Sequence, residues 1–122
     1  MRPKKILLAD ANPDCRDLLS LYLELLQYPT PAQANNGREV LSKALCEGPD
    51  LIIMEVLLPR MDGFQVVAEL RSNPLTRNAW ILAATAMAMP GDREKCLARG
   101  FDDYLAKPFT MKDLKELLPN AS

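Results

Sequence analysis

The sequence predicts an α/β fold: a five-stranded parallel sheet with five helices on its two faces. Two observations carry this. Short apolar runs alternate with amphipathic stretches five times along the chain, and strict strand–helix alternation implies parallel strands joined by right-handed crossovers. The third run, Leu51 to Met54, is apolar at every position, as a central strand buried on both faces requires. The 122 residues are enough for one hydrophobic core and too few for two, so residues 1–122 read as a single domain.

Each element has a local reason. Lys5 to Ala9 reads as the first strand. Asn12 then offers an N-capping side chain, and Pro13 suits the first helical position, where a backbone N–H is not needed; the helix runs to about Leu26. Leu18, Leu19, Tyr22, Leu23 and Leu26 form its expected buried stripe, while Leu21 and Leu25, one turn apart, should point outward. A weak strand, Ala32 to Ala34, follows Pro31. Asn35-Asn36-Gly37 is a turn, Arg38 to Cys46 a helix, and Gly48-Pro49 breaks the chain before the central strand. Gly63 to Ser72 is helical, with Phe64, Val67 and Leu70 on one stripe, and Trp80 to Ala84 is a strand. Gly91 to Arg99 is a helix that stops at Gly100, a residue suited to a left-handed cap. Asp103 to Ala106 is the last strand. Thr110 caps the last helix, Met111 to Leu118, which Pro119 ends.

Composition excludes several classes of function. Fifteen basic residues balance 16 acidic ones for a net charge of -1, so nothing draws the chain to nucleic acid or an anionic membrane. The absence of histidine removes histidine-dependent triads and histidine metal ligands. Cys15, Cys46 and Cys96 are scattered and odd in number, which argues against a disulfide framework or a thiolate metal site and for a reducing cytoplasm. The apolar run after the basic start, Ile6 to Ala9, is too short for a signal peptide or a membrane span.

In open parallel sheets, sites lie at the carboxyl ends of the strands, near the switch in strand order. Those ends carry Asp10 after the first strand, Glu55 after the third, Thr85 after the fourth and Lys107-Pro108 after the fifth. With no analogy to guide the reading, Asp10 and Glu55 are two strand-end acids that need share no role.

Five segments together make a specific pattern: Lys5-Ile-Leu-Leu-Ala-Asp10, Pro49-Asp-Leu-Ile-Ile-Met54, Leu58-Pro-Arg-Met-Asp-Gly63, Ala84-Thr-Ala86, and Gly100-Phe-Asp-Asp-Tyr-Leu-Ala-Lys-Pro-Phe109. With them the whole chain resembles the receiver domains of two-component response regulators. The resemblance implies a flavodoxin-like sheet of order 2-1-3-4-5. It also implies an acid pair after the first strand that holds Mg²⁺, and an aspartate ending the third strand that takes phosphate from a histidine kinase. A Thr or Ser and a Lys would bind the phosphoryl oxygens, and an aromatic on the fifth strand would act as a switch. By that resemblance Thr85 and Lys107 stand in the phosphate pocket and Tyr104 at the switch position, although Tyr104 also reads as an ordinary half-buried tyrosine. Lys107-Pro108 resembles the family's cis peptide.

Two positions depart from the pattern: the acid pair reads Asp10-Ala11, and the acceptor position is Glu55. Moving a phosphoryl group onto a carboxylate brings anion against anion, a repulsion that Mg²⁺ relieves. Mg²⁺ needs hard oxygen ligands in near-octahedral array; Ala11 offers none, and Glu55 reaches roughly 1.5 Å farther than an aspartate would. Glu55 can instead pair with Lys107 or accept from Thr85. Opposite charges about 4 Å apart attract by roughly 4 kcal/mol at an effective dielectric of about 20, before desolvation.

The expected function is therefore signal transduction by protein–protein contact, independent of phosphorylation and without enzymatic activity. No cofactor and no metal site are expected, with Mg²⁺ weak or absent. Expected partners are proteins, such as a histidine kinase or covalently linked output or kinase domains. Direct contact with nucleic acid or membrane is not expected, and the chain should be a monomer or weak homodimer. Leu21 and Leu25 are candidates for a partner patch, although single exposed leucines need no explanation. Two other readings stand beside this one: a working phosphoacceptor that uses Glu55 with weak Mg²⁺, and a small-molecule binder on the same fold. The absence of a glycine-rich phosphate cradle disfavours the last.

Overall fold

A computed structural model describes residues 3–118. The elements alternate throughout: β1 (Ile6–Ala9), α1 (Pro13–Leu25), β2 (Ala32–Ala34), α2 (Gly37–Glu47), β3 (Leu51–Met54), α3 (Gly63–Ser72), β4 (Trp80–Thr85), α4 (Asp92–Ala98), β5 (Asp103–Ala106) and α5 (Met111–Leu117). All pairings are parallel, and the sheet order is β2-β1-β3-β4-β5. The expected fold is the observed one. The expected stop at Pro119 lies outside the described residues.

Side-chain alternation along the strands sorts the core into two layers. On one face Leu7, Ile52, Met54, Ile81 and Ala83 pack against α2, α3 and α4 through Val40, Val66, Val67, Leu70 and Cys96. On the other, Leu8, Leu51, Ile53, Leu82 and Leu105 pack against Leu19 and Leu23 of α1 and Leu114 of α5. Every residue of β3 is fully buried, which explains its unbroken apolar run.

Three expectations need correction. Lys5 is not a strand residue: its N–H donates to Asp50 Oδ1 at 3.1 Å, outside the ladder. Gly91 lies outside its helix at φ 92°, a left-handed conformation that glycine tolerates, and α4 starts at Asp92. Leu18 is not buried but 40% exposed, because α1 turns Leu19 and Leu23 into the core and leaves Leu18, Leu21 and Leu25 on one outward face. Asn12 and Pro13 start α1 as expected, with the Asn12 side chain accepting from the N–H of Asp14 at 2.8 Å.

Candidate functional site

The carboxyl ends of β1, β3, β4 and β5 bring Asp10, Glu55, Thr85 and Lys107 together. Adjacent strands hold them in register. Asp10 N–H extends the ladder to Ala34 O at 3.1 Å, Glu55 N–H to Ala9 O at 2.9 Å and Lys107 N–H to Thr85 O at 2.9 Å. The loop after Glu55 is held closely as well. The N–H of Gly63 donates to Val56 O at 2.7 Å, and a side chain on Gly63 would meet Val56 Cα at 2.6 Å. Only glycine fits this approach. An Asp62/Gln65 capping box then starts α3.

Lys107 lies between the two acids. Its Nζ is 2.6 Å from Asp10 Oδ2 and 3.1 Å from Glu55 Oε1. The Glu55 carboxylate takes further donors on both oxygens: Ala86 N–H on Oε1 at 3.0 Å and Leu57 N–H on Oε2 at 3.0 Å. The nearby Thr85 hydroxyl favours its charged form. Thr85 Oγ1 in turn accepts from Met87 N–H at 3.0 Å. The other Asp10 oxygen accepts from Asn12 N–H at 2.9 Å. Asp10, Glu55 and Thr85 are all buried, so their electrostatic interactions are weakly screened.

The protonation states follow from these partners. Burial pushes the Glu55 carboxyl up, but the Thr85 hydroxyl, the N–H groups of Leu57 and Ala86, and Lys107 outweigh it and hold Glu55 below its ordinary 4.5. Burial pushes the Lys107 ammonium down, but Asp10 and Glu55 reverse that and hold it above its ordinary 10.5. The site is a fixed arrangement of two carboxylates and one ammonium.

That donor set does not fit Mg²⁺. Ala11 supplies no side-chain oxygen, and the ammonium of Lys107 already sits on both remaining carboxylates. Among the described residues no three acidic, cysteine or histidine side chains gather into a metal-binding group. A hard divalent ion would have to compete with the ammonium for both acids.

Tyr104 is half-buried, packs against the α2–α3–α4 layer of the core, and donates its hydroxyl to Met87 O. It thus closes on the loop that follows Thr85. The Lys107–Pro108 peptide is cis. Leu21 and Leu25, 48% and 60% exposed, lie apart from the acidic pocket on the outer face of α1. Leu18 joins them and, with Cys15, Pro108 and Phe109, lines an apolar groove of about 190 Å³ that touches Lys107.

Residue reading from the sequence missed three parts of the site. The Leu57 and Ala86 N–H groups belong to the backbone and leave no compositional trace. Arg16, one turn into α1, donates from Nη1 to Asp10 O at 2.5 Å; its sequence position looks like any exposed helix cation.

Parallel strands in this order, with buried acids and a lysine gathered at their carboxyl ends, are the arrangement that the resemblance to receiver domains implies. The family model for the response regulator receiver domain matches residues 6–119, and the chain belongs to that family. It is 38% identical over 113 residues to an uncharacterized 14.6 kDa protein of Leptolyngbya boryana, covering 93% of this chain and 86% of that one. It is 39% identical over 111 residues to the alkaline phosphatase synthesis transcriptional regulatory protein PhoP of Bacillus subtilis, covering 91% of this chain and 45% of that protein. The chain thus spans less than half of PhoP. Among solved structures, it matches the receiver domain of the sensor histidine kinase PA1611 of Pseudomonas aeruginosa with a TM-score of 0.84, 35% identity and 93% coverage of each chain. That domain was solved with a magnesium ion coordinated in its active-site cleft. Receiver domains are signalling modules that work with histidine kinases and output domains. No helix among the described residues is long and apolar enough to cross a membrane.

Proposed function

We propose that this receiver domain signals through protein contact in a state held by Glu55, without phosphorylation of the acceptor position. One observation carries the reading: both oxygens of Glu55 are already filled, by Lys107, Ala86 N–H and Leu57 N–H. A carboxylate so engaged is a poor nucleophile, and the donors that would stabilise a transferring phosphoryl group are occupied by the side chain itself.

The family resemblance implies that a phosphoryl group acts by drawing in the strand-four hydroxyl and letting the strand-five aromatic follow, a shift of a pre-existing equilibrium. Here Ala86 N–H, next to Thr85, donates to Glu55, and Tyr104 is fastened to Met87, two residues past Thr85. The Ala86 N–H on Glu55 and the Tyr104 hydroxyl on Met87 O support an active-like state with Glu55 in the place of the phosphoryl group. Asp10 then serves to hold Lys107. Leu18, Leu21 and Leu25 form the face offered to a protein partner such as a histidine kinase domain.

The test is intact-mass measurement after incubation with acetyl phosphate and Mg²⁺. The wild-type chain gains no phosphoryl mass. Ala11→Asp combined with Glu55→Asp gains one, because Thr85 and Lys107 are in place; neither single substitution suffices. A phosphoryl mass that maps to Glu55 in the wild type would overturn the reading.

A further inference from the structure

Beside the acidic pocket, on the β2 side of α1, lies a second cavity of about 180 Å³, lined by Arg16, Gln33, Ala34, Asn35, Glu39 and Lys43. Its cations are held by neutral acceptors. Arg16 donates from Nε to Gln33 Oε1 at 3.0 Å and from Nη1 to Asp10 O at 2.5 Å. Lys43 Nζ donates to Gln33 O, and Gln33 Nε2 is itself anchored on Ser20 Oγ at 3.3 Å. Among the described residues neither Arg16 nor Lys43 forms an ion pair. Two half-buried cations on one cavity, oriented but not neutralised, are arranged to receive an anion.

We propose that this cavity binds the phosphate group of a small molecule. Arg16, Lys43 and Asn35 line it, and among the described residues Arg16 Nη2 and Asn35 Nδ2 have no protein acceptor while Lys43 Nζ has Gln33 O alone. Three donors on separate elements suit the several oxygens of a phosphate better than the two coplanar oxygens of a carboxylate. The one opposing charge, Glu39, is engaged: its Oε1 caps the N–H of Asn35 at 2.7 Å. A volume of about 180 Å³ accommodates free phosphate or the phosphate group of a short phosphomonoester. Because Arg16 also holds Asp10 O, an anion seated there would act on the guanidinium that braces the first strand end of the acidic pocket.

The experiment titrates the ¹⁵N-labelled chain with inorganic phosphate and, separately, with glycerol 3-phosphate, each against chloride at matched ionic strength. Saturable amide shifts centred on Gln33 to Asn35 are expected with at least one of the anions. Tighter binding of the ester would make an ester the ligand, and equal binding free phosphate. Lys43→Gln and Arg16→Gln should each weaken binding about tenfold, or 1.4 kcal/mol. Glu39→Gln keeps an acceptor for Asn35 and should tighten binding several-fold. Lys43→Gln leaves the Arg16 contact to Asp10 in place, so it decides the matter if Arg16→Gln fails to fold. Absence of saturation with either anion, shifts confined to Thr85, Ala86 and Lys107, or unchanged affinity in Lys43→Gln would overturn the proposal.

Discussion

Lys107 carries the electrostatics of the acidic pocket. It is the cation within reach of both Asp10 and Glu55, and the two acids are each buried. Lys107→Met would leave two buried carboxylates facing each other without a counter-charge, and breaking a buried pair in this way costs about 3–5 kcal/mol; urea unfolding at neutral pH checks it. The pH dependence of stability follows from Glu55. Its folded pKa lies below the ordinary 4.5, so the unfolded chain takes up the proton first. The stability from Glu55 is therefore full above 4.5 and lost as pH falls through the folded value. Lys107, held above 10.5, contributes fully below that value and loses its contribution only in strong alkali. Urea midpoints between neutral pH and pH 3 should fall less steeply for Glu55→Gln than for the wild type, because glutamine has no proton to gain. Equal slopes would mean that Glu55 does not titrate with folding.

At the scale of elements, α1 separates packing from surface within one helix. Leu23 is fully buried against the sheet and Leu25, two residues on, is 60% exposed. Leu23→Ala should cost about 2–5 kcal/mol and Leu25→Ala less than about 0.5 kcal/mol, measured by chemical denaturation. Similar costs for the two would mean that α1 is rotated from its place here. The helical period gave the outward direction of Leu21 and Leu25 but put Leu18 in the buried stripe. Five leucines and a tyrosine crowd two turns of α1, so the pattern leaves the edge of the apolar face undefined; the sheet beneath decides it by taking Leu19 and Leu23. The strand ends were more legible. Apolar runs with charged or polar terminators placed Asp10, Glu55, Thr85 and Lys107 at one edge before any geometry was known. Their pairing was only half legible. That Glu55 reaches Lys107 follows from charge and length, whereas its two backbone donors depend on how the loops after β3 and β4 turn, and Gly63 against Val56 is the packing that turns the first of them.

For the molecule as a whole, the claim is that one fixed carboxylate stands where a transient phosphoryl group would act, and that the switch parts follow it. The chain links these parts: Glu55 accepts from Ala86 N–H, Thr85 accepts from Met87 N–H, and Met87 O receives Tyr104. This is a contiguous route of backbone and hydrogen bonds from β3 to β5, and such routes carry coupling only if both ends have two arrangements. Allowing Glu55 to lose its charge while keeping its shape tests that condition. The most direct measurement is the ¹H–¹⁵N spectrum of Glu55→Gln beside that of the wild type. The account predicts one set of resonances for the wild type, and for Glu55→Gln shifts that begin at Leu57 and Ala86 and continue through Met87 to Tyr104 and α4. Shifts that stop at Leu57 and Ala86, with Tyr104 and α4 unchanged, would contradict it and leave Glu55 as a salt-bridge partner of Lys107 and nothing more.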